Sequence, residues 1–375
     1  MENKMEGGKI SASQLMVLTA LFTVGTAVLI ITSGLAQQAK QDAWIAAAIG
    51  NAIGLLLIFL YTTIGNLLPN MNLIEMMEAI LGKWLGKTVA FFLIVTLFLG
   101  GPVGVLYYLG NFMRTQILNE TPVEAIHILF GAIVIMGMRL GLETIARTAE
   151  LLFPWFIFFF VVLICLSFPN IELKNVQPVF AGGLMPIWTG VLTFLSVAFL
   201  PDIVLLMFAP VYIQNANNAR KSLLAGAIMG GMMLFMTIAL SVLVLGADLT
   251  ARNLYPTYVL AKKINIGNFL QRMEALIAIV WFISLYFRVT IYMYVVTLGI
   301  GQIFHLNDVR TLALPLGMIL IVLSLIVSPN VNYMQTWVNE TWIPYALSIG
   351  LFLPLLLLLV YAMRKKSIKA QYHKG

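Results

Sequence analysis

Charge and reactive side chains are scarce in this sequence: of 375 residues only 10% are Asp, Glu, Lys or Arg, with one cysteine and three histidines. A lone Cys165 excludes an intrachain disulfide. His127, His305 and His373 are scattered, with no HExxH and no Cys/His ligand spacing, so neither a metal centre nor a haem is expected. A GxxxxGK[ST] phosphate loop and a GxSxG nucleophile elbow are also missing. The chain therefore reads as a non-enzyme without a cofactor. A soluble domain carries roughly 25% charged residues, and no hydrophilic stretch here is long enough to fold alone. What is abundant is apolar surface, 61% of the residues. The solvent for most of it must be lipid.

A spanning helix needs about 20 mostly apolar residues. Ten segments qualify: Ser13–Leu35, Trp44–Leu68, Lys87–Leu118, Val123–Arg139, Leu151–Phe168, Leu184–Ile213, Leu223–Leu245, Phe269–Ile303, Leu312–Ser328 and Trp342–Met363. The first is longer than a signal-peptide core and lacks a small-residue cleavage site, so it is expected to stay as a helix. Short amphipathic pieces at Leu73–Leu81 and Tyr258–Lys263 are expected at the interface or against the bundle. The net charge of +7 does not point to nucleic acid, because the basic residues sit in short loops and in the tail Arg364, Lys365, Lys366, Lys369 and Lys374. With the N-terminus inside, fourteen Lys and Arg face the cytoplasm against seven outside, which favours both termini in the cytoplasm. The tail is also placed to touch anionic membrane lipid.

Ten spans form either a simple bundle or two repeats of five, which an odd number of spans per repeat would invert. Helix interruptions fall in matching places: Thr23-Val24-Gly25-Thr26 in the first segment and Leu200-Pro201-Asp202 in the sixth, offset by about 175 residues. The expected organisation is a single transmembrane domain over 1–363, with repeats at about 10–168 and 184–363, followed by a basic cytoplasmic tail at 364–375.

Gly25 permits the backbone to unwind, and half-helices then turn free N–H and C=O groups towards a solute. A half-helix starting near Thr26 would offer its positive end to a carboxylate; tight packing of a small residue is the plainer alternative. Pro201 predicts a kink, and Asp202 places a carboxylate in hydrocarbon at a cost of roughly 3 kcal/mol at a span's centre, unless it lies nearer a membrane face. Trp281, Ser284, Arg288 and Tyr292 share one face of segment eight. Arg288 is a candidate partner for Asp202 or for a solute's anionic group, with snorkelling to an interface as the alternative. Tyr286, Thr290 and Tyr294 lie on an adjoining face. Gly100-Gly101-Pro102-Val103-Gly104 predicts a kink in segment three, with Tyr107 and Tyr108 one turn on. Glu143 and Arg147 read as a structural i, i+4 pair, and Arg272 with Glu274 as a brace for the outer loop. Two Asn-x-Thr sequons, at Asn119 and Asn339, are weak motifs.

Together these residues resemble the spore germination permease family, the B-type subunits of nutrient germinant receptors. The match is carried by Ile10-Ser11-Ala12-Ser13-Gln14, the break at Gly25, Trp44-Ile45, Gly141-Leu142-Glu143-Thr144-Ile145-Ala146-Arg147, Leu205-Leu206-Met207-Phe208-Ala209-Pro210, and Phe269-Leu270-Gln271-Arg272-Met273-Glu274 with Trp281. It covers essentially the whole chain. The resemblance implies the ten-helix fold of amino acid–polyamine–organocation transporters, all-α, with 5+5 inverted repeats and broken first and sixth helices. It also implies a place in the spore inner membrane beside an A-type integral subunit and a C-type lipoprotein. Asp202 stands where the family more often has Glu, and Ser33-Gly34 where a proline often ends the first helix, so ligand identity does not carry over.

The expectation is a receptor subunit that binds a small germinant, an amino acid by preference, at Thr23, Gly25, Thr26, Gly101, Phe199, Asp202, Arg288 and Tyr292. Backbone at Gly25–Thr26 would hold a carboxylate and Phe199 would gate. The alternative is an amino acid or polyamine permease working by alternating access.

Overall fold

A computed structural model describes residues 9–213, 216–264 and 273–372, and among these it is all-α. Ser11 opens α1 (Ala12–Val24) through a capping box, its Oγ accepting from the Gln14 amide while the Gln14 side chain accepts from the Ser11 amide. The helix stops at Gly25, whose φ of +28° suits glycine alone, and restarts after Thr26 as α2 (Ala27–Ala39). A 3₁₀ turn leads to α3 (Ala43–Gly65). Asn72 and Glu75 form a second capping box at α4 (Leu73–Leu81), the short amphipathic helix expected there. The third span is α5 (Lys83–Phe98) and α6 (Gly104–Phe112), joined by a π-helical turn over Leu99–Val103. That wide turn is how the helix absorbs Pro102.

The fourth and fifth spans are α7 (Val123–Leu140) and α8 (Leu142–Ser167). In the sixth, α9 (Leu184–Ala198) ends before Phe199, Leu200–Met207 winds as 3₁₀ helix with Pro201 in its first turn, and α10 (Ala209–Tyr212) follows. Proline fits there because an opening turn needs no amide from it. Then come α11 (Ala216–Leu245), the short loop helices α12 (Ala247–Arg252) and α13 (Pro256–Lys263), α14 (Glu274–Ile303) and α15 (Ala313–Ile326). The tenth span is α16 (Val331–Trp337), α17 (Ile343–Leu347) and α18 (Leu353–Tyr372), linked by two π turns.

Among the described residues nine helical stretches are long and apolar enough to cross a membrane, one of them Ala27–Gly65, which joins the second half of the first span to the second span. With α1 as the missing half they make the ten expected crossings. Trp84, Leu129, Leu151 and Met363 present exposed apolar side chains, as lipid solvation requires. Twenty of the 30 residues of α14 are buried, which makes it the central pillar. The first span packs on the seventh (α1 with α11) as the sixth packs on the second (α9 with α3); the first also meets the fifth as the sixth meets the tenth.

The structure departs from the sequence expectation at the C-terminal end. The tenth span starts at Val331 rather than Trp342, and helix continues to Tyr372 without a boundary at 363. Arg364 Nη1 donates to Ile80 O at 2.7 Å, fixing the start of the basic segment on α4. The expected Arg272 brace, the Phe269–Arg272 start of segment eight and the tail residue Lys374 lie outside the described residues.

Candidate functional site

Breaking a helix leaves its last carbonyls without intrahelical partners and gives its end a negative pole. Two such ends converge here. The carboxyl end of α1 exposes Phe22 O and that of α9 exposes Val197 O. Arg288, on α14 and 2% exposed, meets both: Nη1 donates to Phe22 O at 3.1 Å and Nη2 to Val197 O at 2.7 Å. One turn earlier on the same face, Ser284 Oγ donates to Gly25 O at 3.1 Å. One turn later, the Tyr292 ring lies edge-on to Phe22 at 4.9 Å, and the guanidinium carbon sits 5.1 Å from the Phe22 ring centroid. The polar face read from the spacing of segment eight is thus turned to the break in the first span. Gly25 is required for this approach, since a Cβ there would overlap Arg288 Cδ.

Asp202 is buried beside the other half of the junction. Thr23 Oγ1 lies 3.0 Å from Asp202 Oδ2 and 2.9 Å from Thr19 O, its one proton shared between these two acceptors, while Oδ1 has no hydrogen-bond partner. Of the two partners considered for Arg288, Asp202 is not in an ion pair with it: the two ion pairs among the described residues are Glu143–Arg147 and Glu172–Lys174. The terminal nitrogens of Arg288 are instead directed at Phe22 O and Val197 O. Tyr61 ties the same region together, its hydroxyl donating to Gly350 O at 2.6 Å with Leu200 O at 3.2 Å as the more distant acceptor, across the second, sixth and tenth spans.

Beside Arg288 lies a cavity with about 440 Å³ of empty space, its mouth included. Of the eight residues expected to bind a germinant, Thr26, Gly101, Arg288 and Tyr292 line it. Gly25 stands behind Arg288. Thr23 and Asp202 meet one another outside the lining, and Phe199 packs on Phe194 and against Gly54 and Gly231, where a Cβ would overlap or crowd its ring. The remaining wall comes from Gly100, Gly104 and Tyr108 of the third span and from Met334, Trp337 and Trp342 of the tenth. Trp342 Nε1 donates to Ser196 O at 3.1 Å, again a carbonyl of the last turn of α9. These tenth-span residues carried no sequence signal, because the π turn at Val338–Trp342 that turns them inward has no composition of its own. Tyr286 and Thr290 face Gly137 of the fourth span, and Tyr294 meets Tyr212, so none of the three joins this wall.

The short helices α12 and α13 pack on α2: Thr257 Oγ1 donates to Val28 O at 2.8 Å, and Gln37 Nε2 to Ala251 O at 3.1 Å. Arrangements of this kind, a polar centre between two broken helices beside a cavity, suit reversible recognition of a small solute.

Comparison with known proteins agrees with the architecture. A family model described as "Spore germination protein" matches residues 9–332. Spore germination protein KB of Bacillus subtilis (strain 168) is 30% identical over 366 residues, 96% of this chain and 97% of that protein. Spore germination protein A2 of the same organism is 24% identical, covering 98% and 99%. Among solved structures, Mhp1, a nucleobase-cation-symport-1 family transporter in a closed conformation with bromovinylhydantoin bound, superposes with a TM-score of 0.68 at 14% identity, over 91% of this chain and 76% of that one. A Na⁺-coupled sialic acid symporter gives 0.65 at 12% identity, over 92% and 80%.

Proposed function

This chain belongs to the spore germination protein family, and we propose that within it the chain is the membrane subunit of a germinant receptor, binding a small nutrient halfway across the bilayer. The observation that carries the reading is the cavity at the junction of two interrupted helices, with Arg288 bridging their carboxyl ends. Thr26, Gly101, Arg288 and Tyr292 contact the nutrient; Gly25, Thr23 and Asp202 hold the junction that the nutrient perturbs; Phe199 braces the sixth-span break. The nutrient is an amino acid, to which the polar base of the cavity is suited. Binding need supply only a difference in affinity between two states, a few kcal/mol for a large shift in population.

The mirrored span pairings support two inverted repeats of five. The excess of Lys and Arg on one side supports both termini in the cytoplasm, in the spore inner membrane. By analogy with receptor subunits of this family, the partners are an A-type integral subunit and a C-type lipoprotein. A second reading, an amino acid or polyamine permease, is favoured by one observation: the solved proteins sharing this fold are transporters. Fold alone does not separate the two.

The test is a nutrient screen of spores lacking this chain, with radiolabelled uptake by vesicles holding the chain alone. Loss of the response to at least one nutrient without uptake supports the receptor; uptake supports the permease; an unchanged nutrient profile overturns the receptor reading.

A further inference from the structure

Two converging helix carboxyl ends make a seat for a cation. In a site that reads amino acids, the solute's ammonium group is the obvious occupant. Here the seat is taken by the protein itself: both terminal nitrogens of Arg288 are committed to Phe22 O and Val197 O. We propose that Arg288 is a resident cation, and that the ligand is a monocarboxylate recognised through its acid group and apolar body, its α-amino group being unread.

Three independent features converge on that class. Arg288 lines the cavity, its buried Nε has no hydrogen-bond partner, and its terminal nitrogens spend one N–H each on Phe22 O and Val197 O, so this positively charged group keeps N–H donors for an incoming oxygen. Thr26 also lines the cavity and opens α2 without a side-chain cap, leaving the first amides of that helix and its positive pole on the same side. The lining contains no Asp or Glu, so no side-chain charge there complements an ammonium. The rest of the wall is mostly apolar, glycine and aromatic with Ile30, Val105, Val197, Met334 and Val338; a Cβ on Gly101 would stand 3.2 Å from the Tyr292 ring, and one on Gly100 3.0 Å from Trp342, so glycine lets the third span pass close to those rings. A hydrocarbon body meets largely apolar surface there. This inference rests on the cavity being the nutrient site.

The test uses the purified full chain in lipid nanodiscs and matched triads on one carbon skeleton: L-alanine, propionate and ethylamine; L-valine, 3-methylbutanoate and 2-methylpropylamine; L-phenylalanine, 3-phenylpropanoate and 2-phenylethylamine. In the triad that binds, the desamino acid is expected within about threefold of its amino acid, and the amine at least about a hundredfold weaker. Arg288→Ala vacates the seat, so the amino acid should then outbind its desamino analogue. Arg288→Gln, which keeps a donor without the charge, should weaken the desamino acid by about tenfold or more even if the alanine variant does not fold. An amino acid that binds while its desamino analogue does not would overturn the inference and leave the cavity reading intact. Silence from every triad would overturn both.

Discussion

Replacing Gly25 with alanine strikes two features of the site at once, and the structure allows them to be separated. The first is conformational: φ +28° with ψ −119° is a region that L side chains rarely adopt, worth about 1–3 kcal/mol of strain. The second is steric: the new Cβ would overlap Arg288 Cδ and crowd Nη1 and Phe22 O. Moving the guanidinium off its two carbonyls forfeits charged hydrogen bonds worth about 1.5–3 kcal/mol each, part of which relaxation recovers. The combined expectation is a loss of about 2–6 kcal/mol, large against the 5–15 kcal/mol of a typical domain. Gly82→Ala is the control, because Gly82 also has positive φ (+98°) but nothing within 4 Å of its Cβ position. It should suffer the strain alone. Thermal unfolding of the purified protein reads both, and the double variant Gly25→Ala/Arg288→Ala should be less damaging than the sum of its parts, since the collision is gone. If Gly25→Ala melts like Gly82→Ala and the double variant is additive, the close passage of Arg288 over Gly25 has no energetic role and the reasoning fails.

Other outcomes follow from neighbouring contacts. Thr23→Val should cost about 1–3 kcal/mol, because Asp202 loses its one side-chain donor in a buried setting, whereas Thr23→Ser should be nearly neutral; thermal unfolding distinguishes them. Trp342→Phe keeps the ring but removes the donor to Ser196 O, so nutrient dissociation should accelerate several-fold in stopped-flow measurements with little change in melting temperature. Burial raises the pKa of Glu75 above 4.5, against the opposing hydrogen bond from the Asn72 amide and with help from Glu78. A carboxyl raised on folding contributes stability below its unfolded pKa and loses it as pH rises through the folded value. Melting of the wild type should therefore fall more across that acidic window than melting of Glu75→Gln. The exposed Glu143–Arg147 pair should be worth no more than about 0.5 kcal/mol on Glu143→Ala, by the same assay.

The spans were legible because lipid imposes a length and composition that no other solvent does. The break at Gly25 was legible once it was paired with Pro201 in the sixth span, since glycine alone in an apolar helix serves tight packing equally well. At the sixth span Pro201 marked the right place, but α9 ends at Ala198 and the proline sits inside the following 3₁₀ turn, because the sequence names the residue that cannot continue a helix and not the one that ends it. The periodicity of Trp281, Ser284, Arg288 and Tyr292 found the correct face of α14. It did not find Arg288's partners, since both are main-chain oxygens, which every residue possesses. The same blindness hid Trp337 and Trp342: their inward turn depends on a π-helical register that side-chain identity does not encode.

Saturation binding of a radiolabelled nutrient to the purified chain, wild type beside Gly101→Leu, tests directly whether recognition occurs where the broken helices meet. The nutrient is one whose germination response disappears with the chain. Saturable binding that vanishes in Gly101→Leu, with the variant still folded at the assay temperature, is the predicted result, because even the first carbon of the new side chain would stand 3.2 Å from the Tyr292 ring and the rest must take up the cavity. Equal affinity in the two proteins would contradict the account.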